Sequence, residues 1–176
     1  RTLELFAERY ERAVGFDVNQ SMLAYARAKI SQAGLDKAQV RHGDIYNLGL
    51  PTEEADAVVM HQVMHFLSDA AGALAEAGRI LKPGGHLLMV DFAPHQVEFL
   101  RDAHAHERLG FSTGQIAEWM RGSGLELTKT VELAPADAGT DRLTVMLWLA
   151  TKPVVKHENN ATENLAIENK EFLEGI

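Results

Sequence analysis

Apolar residues recur along this chain in two rhythms, and the points where one gives way to the other predict an alternation of strands and helices. In the opening run TLELFAERYERA, Leu3, Phe6, Ala7 and Tyr10 fall on one helical face. Residues 13–16 (AVGF) then form a short apolar strand, and a helix follows over 21–33, ending at Gly34. A second short strand covers 38–41. The run ADAVVM at 55–60 is almost continuously apolar, as in a strand buried on both faces of a parallel sheet. A helix over 68–81 stops at Lys82, Pro83, Gly84 and Gly85, where the chain is expected to reverse tightly. HLLMVDF at 86–92 is the next strand. Beyond it the pattern predicts helices over 95–109 and 113–122. Strands over 127–133 and 143–150 come last, forming an antiparallel pair that closes an otherwise parallel sheet. In the long helix Phe99, Leu100, Ala103 and Leu109 are expected to face the sheet. The segment 153–176 is polar, lacks a core pattern and reads as a mobile tail with at most a marginal helix over 163–173. The fold class is therefore α/β, with one domain over 1–152 and the tail after it.

The first two strands each end in a carboxylate, Asp17 and Asp44. In doubly wound α/β proteins an acidic residue at that position, about 20 residues beyond a glycine-rich loop, accepts hydrogen bonds from ribose hydroxyls. Asp17 has either that role or the local one of a turn or helix-cap carboxylate. Only 16 residues precede it, too few for a first strand and a glycine loop. Either the site is built differently or the chain is a piece of something longer.

Composition narrows the function. There are no cysteines among the 176 residues, which removes disulfides, thiolate metal sites and cysteine nucleophiles. A net charge of -8 without a basic cluster argues against direct nucleic-acid contact. No apolar run approaches the ~20 residues that cross a bilayer, so no membrane partner is expected and a cytoplasmic location is the default.

Taken in order, FDVNQSML, HGDI, ADAVVMHQVMHFL and RILKPGGHLLMVDF resemble the class I methyltransferases that use S-adenosylmethionine. The resemblance covers roughly residues 1–150 and implies a Rossmann-like fold whose first strand and glycine loop are missing here. More narrowly, VDFAPHQVEFLRDAHAHERLGF resembles the methyltransferase domain fused behind arsenical-repressor-type winged helices, so the chain is read as truncated within the glycine-rich motif. The resemblance implies S-adenosylmethionine as cofactor. It places Asp17 on the ribose hydroxyls, Val18 and Met22 against the adenine, Asp44 on the adenine amino group and the Ile45 amide on a ring nitrogen. His61 would lie under the methionine portion.

No residue is assigned as catalytic, but six of the eight histidines fall between His61 and His106. His61, His65 and His95 follow the carboxyl ends of strands, where open α/β sheets hold ligands, and are the candidates. With Asp91 nearby they could supply a base with an orienting carboxylate or a metal site; packing is the competing role, and no metal ligand is assigned. The DPPY or NPPY motif of amino-group DNA and protein methyltransferases is absent, HQVM standing in its place. The expected function is methyl transfer to an unidentified, small-molecule acceptor. The alternative is a regulator domain that senses S-adenosylmethionine or S-adenosylhomocysteine without turnover, with a homodimer formed through a missing N-terminal domain.

Overall fold

A computed structural model describes residues 1–135 and 143–154. The elements in chain order are α1 (Thr2–Leu5), β1 (Ala13–Asp17), α2 (Gln20–Gln32), β2 (Ala38–His42), β3 (Ala55–His61), a 3₁₀ turn (Met64–Phe66), α3 (Ala70–Ile80), β4 (Leu81–Phe92), α4 (Phe99–His104), α5 (Thr113–Gly122), β5 (Glu126–Leu133) and β6 (Val145–Thr151). The tail helix expected over 163–173 lies outside the described residues. Among those residues no helix is long and apolar enough to cross a membrane.

The strands form two sheets. β1 and β2 pair in parallel, while the second sheet has the order β3-β4-β6-β5, with β3 parallel to β4 and β6 antiparallel to both its neighbours. The mixed sheet with a terminal antiparallel pair is the architecture the sequence pattern predicts. Its core gathers Met60, Leu74, Leu87, Met89, Ile116, Met120 and Trp148 between the sheet and the helices α3 and α5, with Phe111 alongside. Burial of such side chains contributes about 1.5–3 kcal/mol each. Trp148, wholly buried, hands its indole N–H to Thr113 Oγ1 at 3.1 Å, which satisfies its one polar atom.

Among the described residues, β1 and β3 each have one strand partner only. Arg12 and Glu54, each one residue ahead of its strand, form an ion pair at 2.6 Å. Ala57 and Val59 of β3 are exposed, although the strand reads as a central one. Farther along, the 44–54 loop is tied to α3 by buried Glu76, which accepts from the Leu48 amide at 2.9 Å and holds Arg79 at 2.7 and 2.8 Å. Arg79 in turn donates to the Leu50 carbonyl at 2.8 Å. Its guanidinium draws the Glu76 carboxyl below its ordinary pKa.

Three expectations are corrected. The opening helix spans only Thr2–Leu5, after which Tyr10 folds back and its hydroxyl donates to the Leu3 carbonyl at 2.9 Å. The Lys82-to-Gly85 stretch does not reverse the chain. It bulges out within β4, since Ala55 pairs with Leu81 and Ala57 already with His86, and Gly84 takes φ +81° to make the bulge. The long helix over 95–109 shrinks to Phe99–His104, because Ala105 turns into the left-handed region at φ 53°. Leu100 alone of its predicted apolar face is buried, with Phe99 and Ala103 exposed and Leu109 half-buried.

The strap 95–110 that results closes on Gly110, at φ +83°, where an added Cβ would collide with the Ala93 carbonyl. Gly110→Ala should therefore cost about 2–3 kcal/mol or more, read as a lowered midpoint in urea unfolding.

Candidate active site

The carboxyl ends of β1 and β2 bring two carboxylates to one edge. In the parallel register Asp17 pairs with His42, and the Gly43 amide donates to the Asp17 carbonyl at 3.2 Å, so Asp44 follows directly beside it. Each carboxylate uses Oδ1 to accept from the amide two residues on, Asn19 for Asp17 at 2.8 Å and Tyr46 for Asp44 at 3.0 Å. The local turn role and a ligand role are thus compatible, because one oxygen shapes the turn and the other is left for a donor. Asn19 caps α2 through Ser21 and Met22 amides at 2.9 and 3.2 Å, which orients the helix start beside Asp17. Val18 and Met22 stand 64 % and 52 % exposed there, and Ile45 is half-buried against the core. A carboxylate flanked by an exposed aliphatic and an exposed thioether suits a nucleoside, whose sugar offers hydroxyl donors and whose base offers an apolar face.

A second constellation lies at the carboxyl ends of β3 and β4. Asp91, with no solvent exposure, accepts three hydrogen bonds: from the Met64 amide at 3.1 Å, from its neighbour Phe92's amide at 2.9 Å and from His65 Nδ1 at 2.7 Å. A carboxylate only accepts, so His65 carries its proton on Nδ1 and its Nε2 is the lone-pair nitrogen when the ring is neutral. The His65 ring lies 4.1 Å from those of Phe66 and His106 and 5.1 Å from Phe92. Phe92 in turn stacks on His106 at 6.1 Å and meets His95 edge-on at 6.2 Å.

The strap is clamped at this cluster. The Glu107 and Arg108 amides both donate to the His65 carbonyl at 2.9 and 3.1 Å, and the Arg108 guanidinium reaches the Leu67 and Ser68 carbonyls at 3.3 and 2.8 Å. Arg108 also lies over the Trp119 ring, 5.4 Å from its centroid.

Of the sequence candidates, His65 and His95 come together here, whereas His61 is exposed at the end of β3 outside the aromatic cluster. His106 is the residue that periodicity missed. The chain leaves the helix at Ala105, sending His106 inward while His104 stays exposed. Among the described residues no group of three or more acidic or imidazole side chains is arranged to hold a metal.

Two nitrogens of the cluster, His95 Nε2 and His106 Nδ1, are buried without a hydrogen-bond partner. Burial, reinforced by the neighbouring His65, pushes both imidazoles below their ordinary pKa of 6.5. Above that value both rings are neutral in the folded and unfolded chain alike. As the pH falls below it, the unfolded chain takes up protons that the fold resists, so stability is lost through the depressed folded values. The urea midpoint should accordingly be lower at pH 5.5 than at pH 7.5, and a His95→Phe, His106→Phe double variant should flatten that difference.

Comparison with known proteins gives the family and the fold. Residues 1–89 match the family model described as "Methyltransferase domain". A protein of Mycolicibacterium smegmatis described as a probable S-adenosylmethionine-dependent methyltransferase is 29 % identical over 133 residues, 73 % of this chain and 49 % of its own length. A ubiquinone/menaquinone biosynthesis C-methyltransferase of Teredinibacter turnerae is 34 % identical over 89 residues, 50 % of this chain and 36 % of its own length. The chain thus spans half or less of these curated relatives. Among solved structures, a SAM-dependent methyltransferase from Methanosarcina mazei superposes with a TM-score of 0.71 at 16 % identity, covering 88 % of this chain and 87 % of that one, a likeness of fold.

Proposed function

From the premise that this chain belongs to the methyltransferase-domain family, we propose that it uses S-adenosylmethionine to methylate a small-molecule acceptor. The observation that carries the reading is the pair Asp17 and Asp44 at adjacent strand ends, with Val18 and Met22 exposed beside them. These residues fit the adenosine half of the cofactor. The Asp17 carboxylate would accept from the ribose hydroxyls, Val18 and Met22 would flank the base, and Asp44 with the Ile45 amide would read its amino and ring nitrogens. His61, at the end of β3 in the same row of strand ends, would face the methionine portion. When bound, the cofactor supplies a methyl group on a sulfonium, open to in-line displacement. The protein's part is then to orient the acceptor, exclude water and, where the acceptor must lose a proton, receive it.

The reading includes a further parallel strand seated between β1 and β3, followed by a glycine-rich loop for the methionine carboxylate at a helix N-terminus. The single-partnered edges of β1 and β3 and the exposed Ala57 and Val59 support it. That strand would come from sequence upstream of residue 1, as in the domains that follow arsenical-repressor-type winged helices. The domain so completed would run to residue 152.

Calorimetric titration with S-adenosylhomocysteine tests this. Saturable one-to-one binding is expected, at least tenfold tighter for a chain extended upstream than for residues 1–176. Absence of binding by both would overturn the proposal, and equal binding by both would overturn the inserted strand.

A further inference from the structure

The imidazole cluster at the strap is more than packing, because its donors and acceptors do not close on themselves. Asp91 holds the proton of His65 on Nδ1, which leaves Nε2 as an acceptor. His95 has the opposite polarity: its Nδ1 accepts from the Val97 amide at 3.3 Å, so in the neutral ring the proton sits on Nε2, the atom that is buried without a partner. His106, 8 % exposed, adds a buried Nδ1 that is also unpartnered. An unsatisfied buried polar atom costs about 1–3 kcal/mol, and two in one cluster mark a place where another molecule completes the bonding.

What that molecule must offer follows from the set. An acceptor at His65 and a donor at His95 match a group that both donates and accepts, which a hydroxyl does and an ether or an ammonium does not. The surroundings are aromatic: Phe92 lies within the cluster, and Phe66, 46 % exposed, stands at its rim against His65 and His106. Exposed flat rings favour a flat apolar frame, by offset or edge-on stacking. The strap is held to the 3₁₀ turn by hydrogen bonds from the Glu107 and Arg108 backbone and the Arg108 side chain, and its buried Leu100 and His106 face the molecule's interior, so His95 and His106 are fixed opposite His65.

We propose that the cluster of His65, His95 and His106 around Phe92, where the 95–110 strap meets the 3₁₀ turn, is the binding site for a flat aromatic molecule bearing a phenolic or enolic hydroxyl. Resting on the function proposed above, that molecule is the methyl acceptor. His65 Nε2, with the ring held through Nδ1–H by Asp91, then takes the hydroxyl proton, and the His95 Nε2–H donates to the oxygen left behind.

The probe pair 2-naphthol and 2-methoxynaphthalene tests the site on the whole chain, with no cofactor present. The methyl ether has the same frame but no hydroxyl proton to give. Side-chain nitrogen resonances of His65, His95 and His106 should shift saturably with 2-naphthol, with contacts from its ring to Phe66. The ether should bind at least tenfold more weakly. His95→Phe, which keeps an aromatic ring and removes the donor, should lose about tenfold in 2-naphthol affinity while retaining the wild-type circular dichroism. Unmoved imidazole resonances up to the solubility of 2-naphthol, or equal affinity for the two probes, would overturn the assignment. Because these readouts need neither S-adenosylmethionine nor turnover, they succeed or fail independently of the cofactor titration.

Discussion

Replacing Asp91 by alanine is expected to lower the free energy of unfolding by about 3–5 kcal/mol. The carboxylate is wholly buried and accepts from two backbone amides, Met64 and Phe92, as well as from His65. Alanine leaves all three donors without an acceptor in a region that water does not reach, so the loss exceeds that of a surface ion pair by several fold. The effect is also local in its origin. Met64 and His65 form the 3₁₀ turn after β3, Asp91 ends β4, and the bonds between them fix how the two strand ends meet. Asn at the same position keeps the shape but turns one accepting oxygen into a donor facing an amide or the imidazole, and an intermediate loss follows. Urea unfolding of wild type, Asp91→Ala and Asp91→Asn at pH 7.5 measures the series. A loss below about 1 kcal/mol for alanine would show that the three bonds re-form elsewhere.

The second large effect falls on binding rather than folding. Asp17→Ala should weaken S-adenosylhomocysteine about a hundredfold, equivalent to about 2.7 kcal/mol. A carboxylate that accepts from a ribose hydroxyl makes charge-assisted bonds, each contributing about 1.5–3 kcal/mol. Stability should change little, because the only hydrogen bond that the Asp17 side chain makes among the described residues is the partly exposed one with the Asn19 amide. Asp17→Asn keeps an acceptor oxygen without the charge, and an affinity between those of wild type and alanine is expected. Calorimetry gives the affinities and a thermal melt gives the stabilities. An alanine variant that binds as tightly as wild type would remove Asp17 from the site.

Much of this arrangement was legible in the sequence because local chemistry and periodicity agreed. The strand before Asp17, the Asn19-capped helix, the apolar run into His61 and the closing antiparallel pair all stand close to where the residue pattern predicts them. At Asp17 the sequence left a turn residue and a ribose ligand as alternatives, and the geometry allows both at once, through different oxygens. The strap was not legible. A helical pattern over 95–109 contains nothing that marks Ala105 as left-handed, and that one residue decides that His106 points into the molecule. Burial of a histidine by contact with other histidines is a tertiary event that composition does not announce. The Lys82-to-Gly85 stretch misled for a related reason: its proline and glycines break a helix, but whether they reverse the chain or bulge a strand depends on a partner, here β3.

Transfer of a tritiated methyl group from S-adenosylmethionine to a panel of phenols, enols and hydroquinones tests methyl transfer itself. Tritium is expected in a small organic product, formed by wild type and reduced by Asp17→Ala through cofactor affinity. A chain that binds S-adenosylhomocysteine tightly yet labels no acceptor in the panel or in a filtered small-molecule extract would contradict methyl transfer, and would identify the fold as a sensor of the cofactor instead.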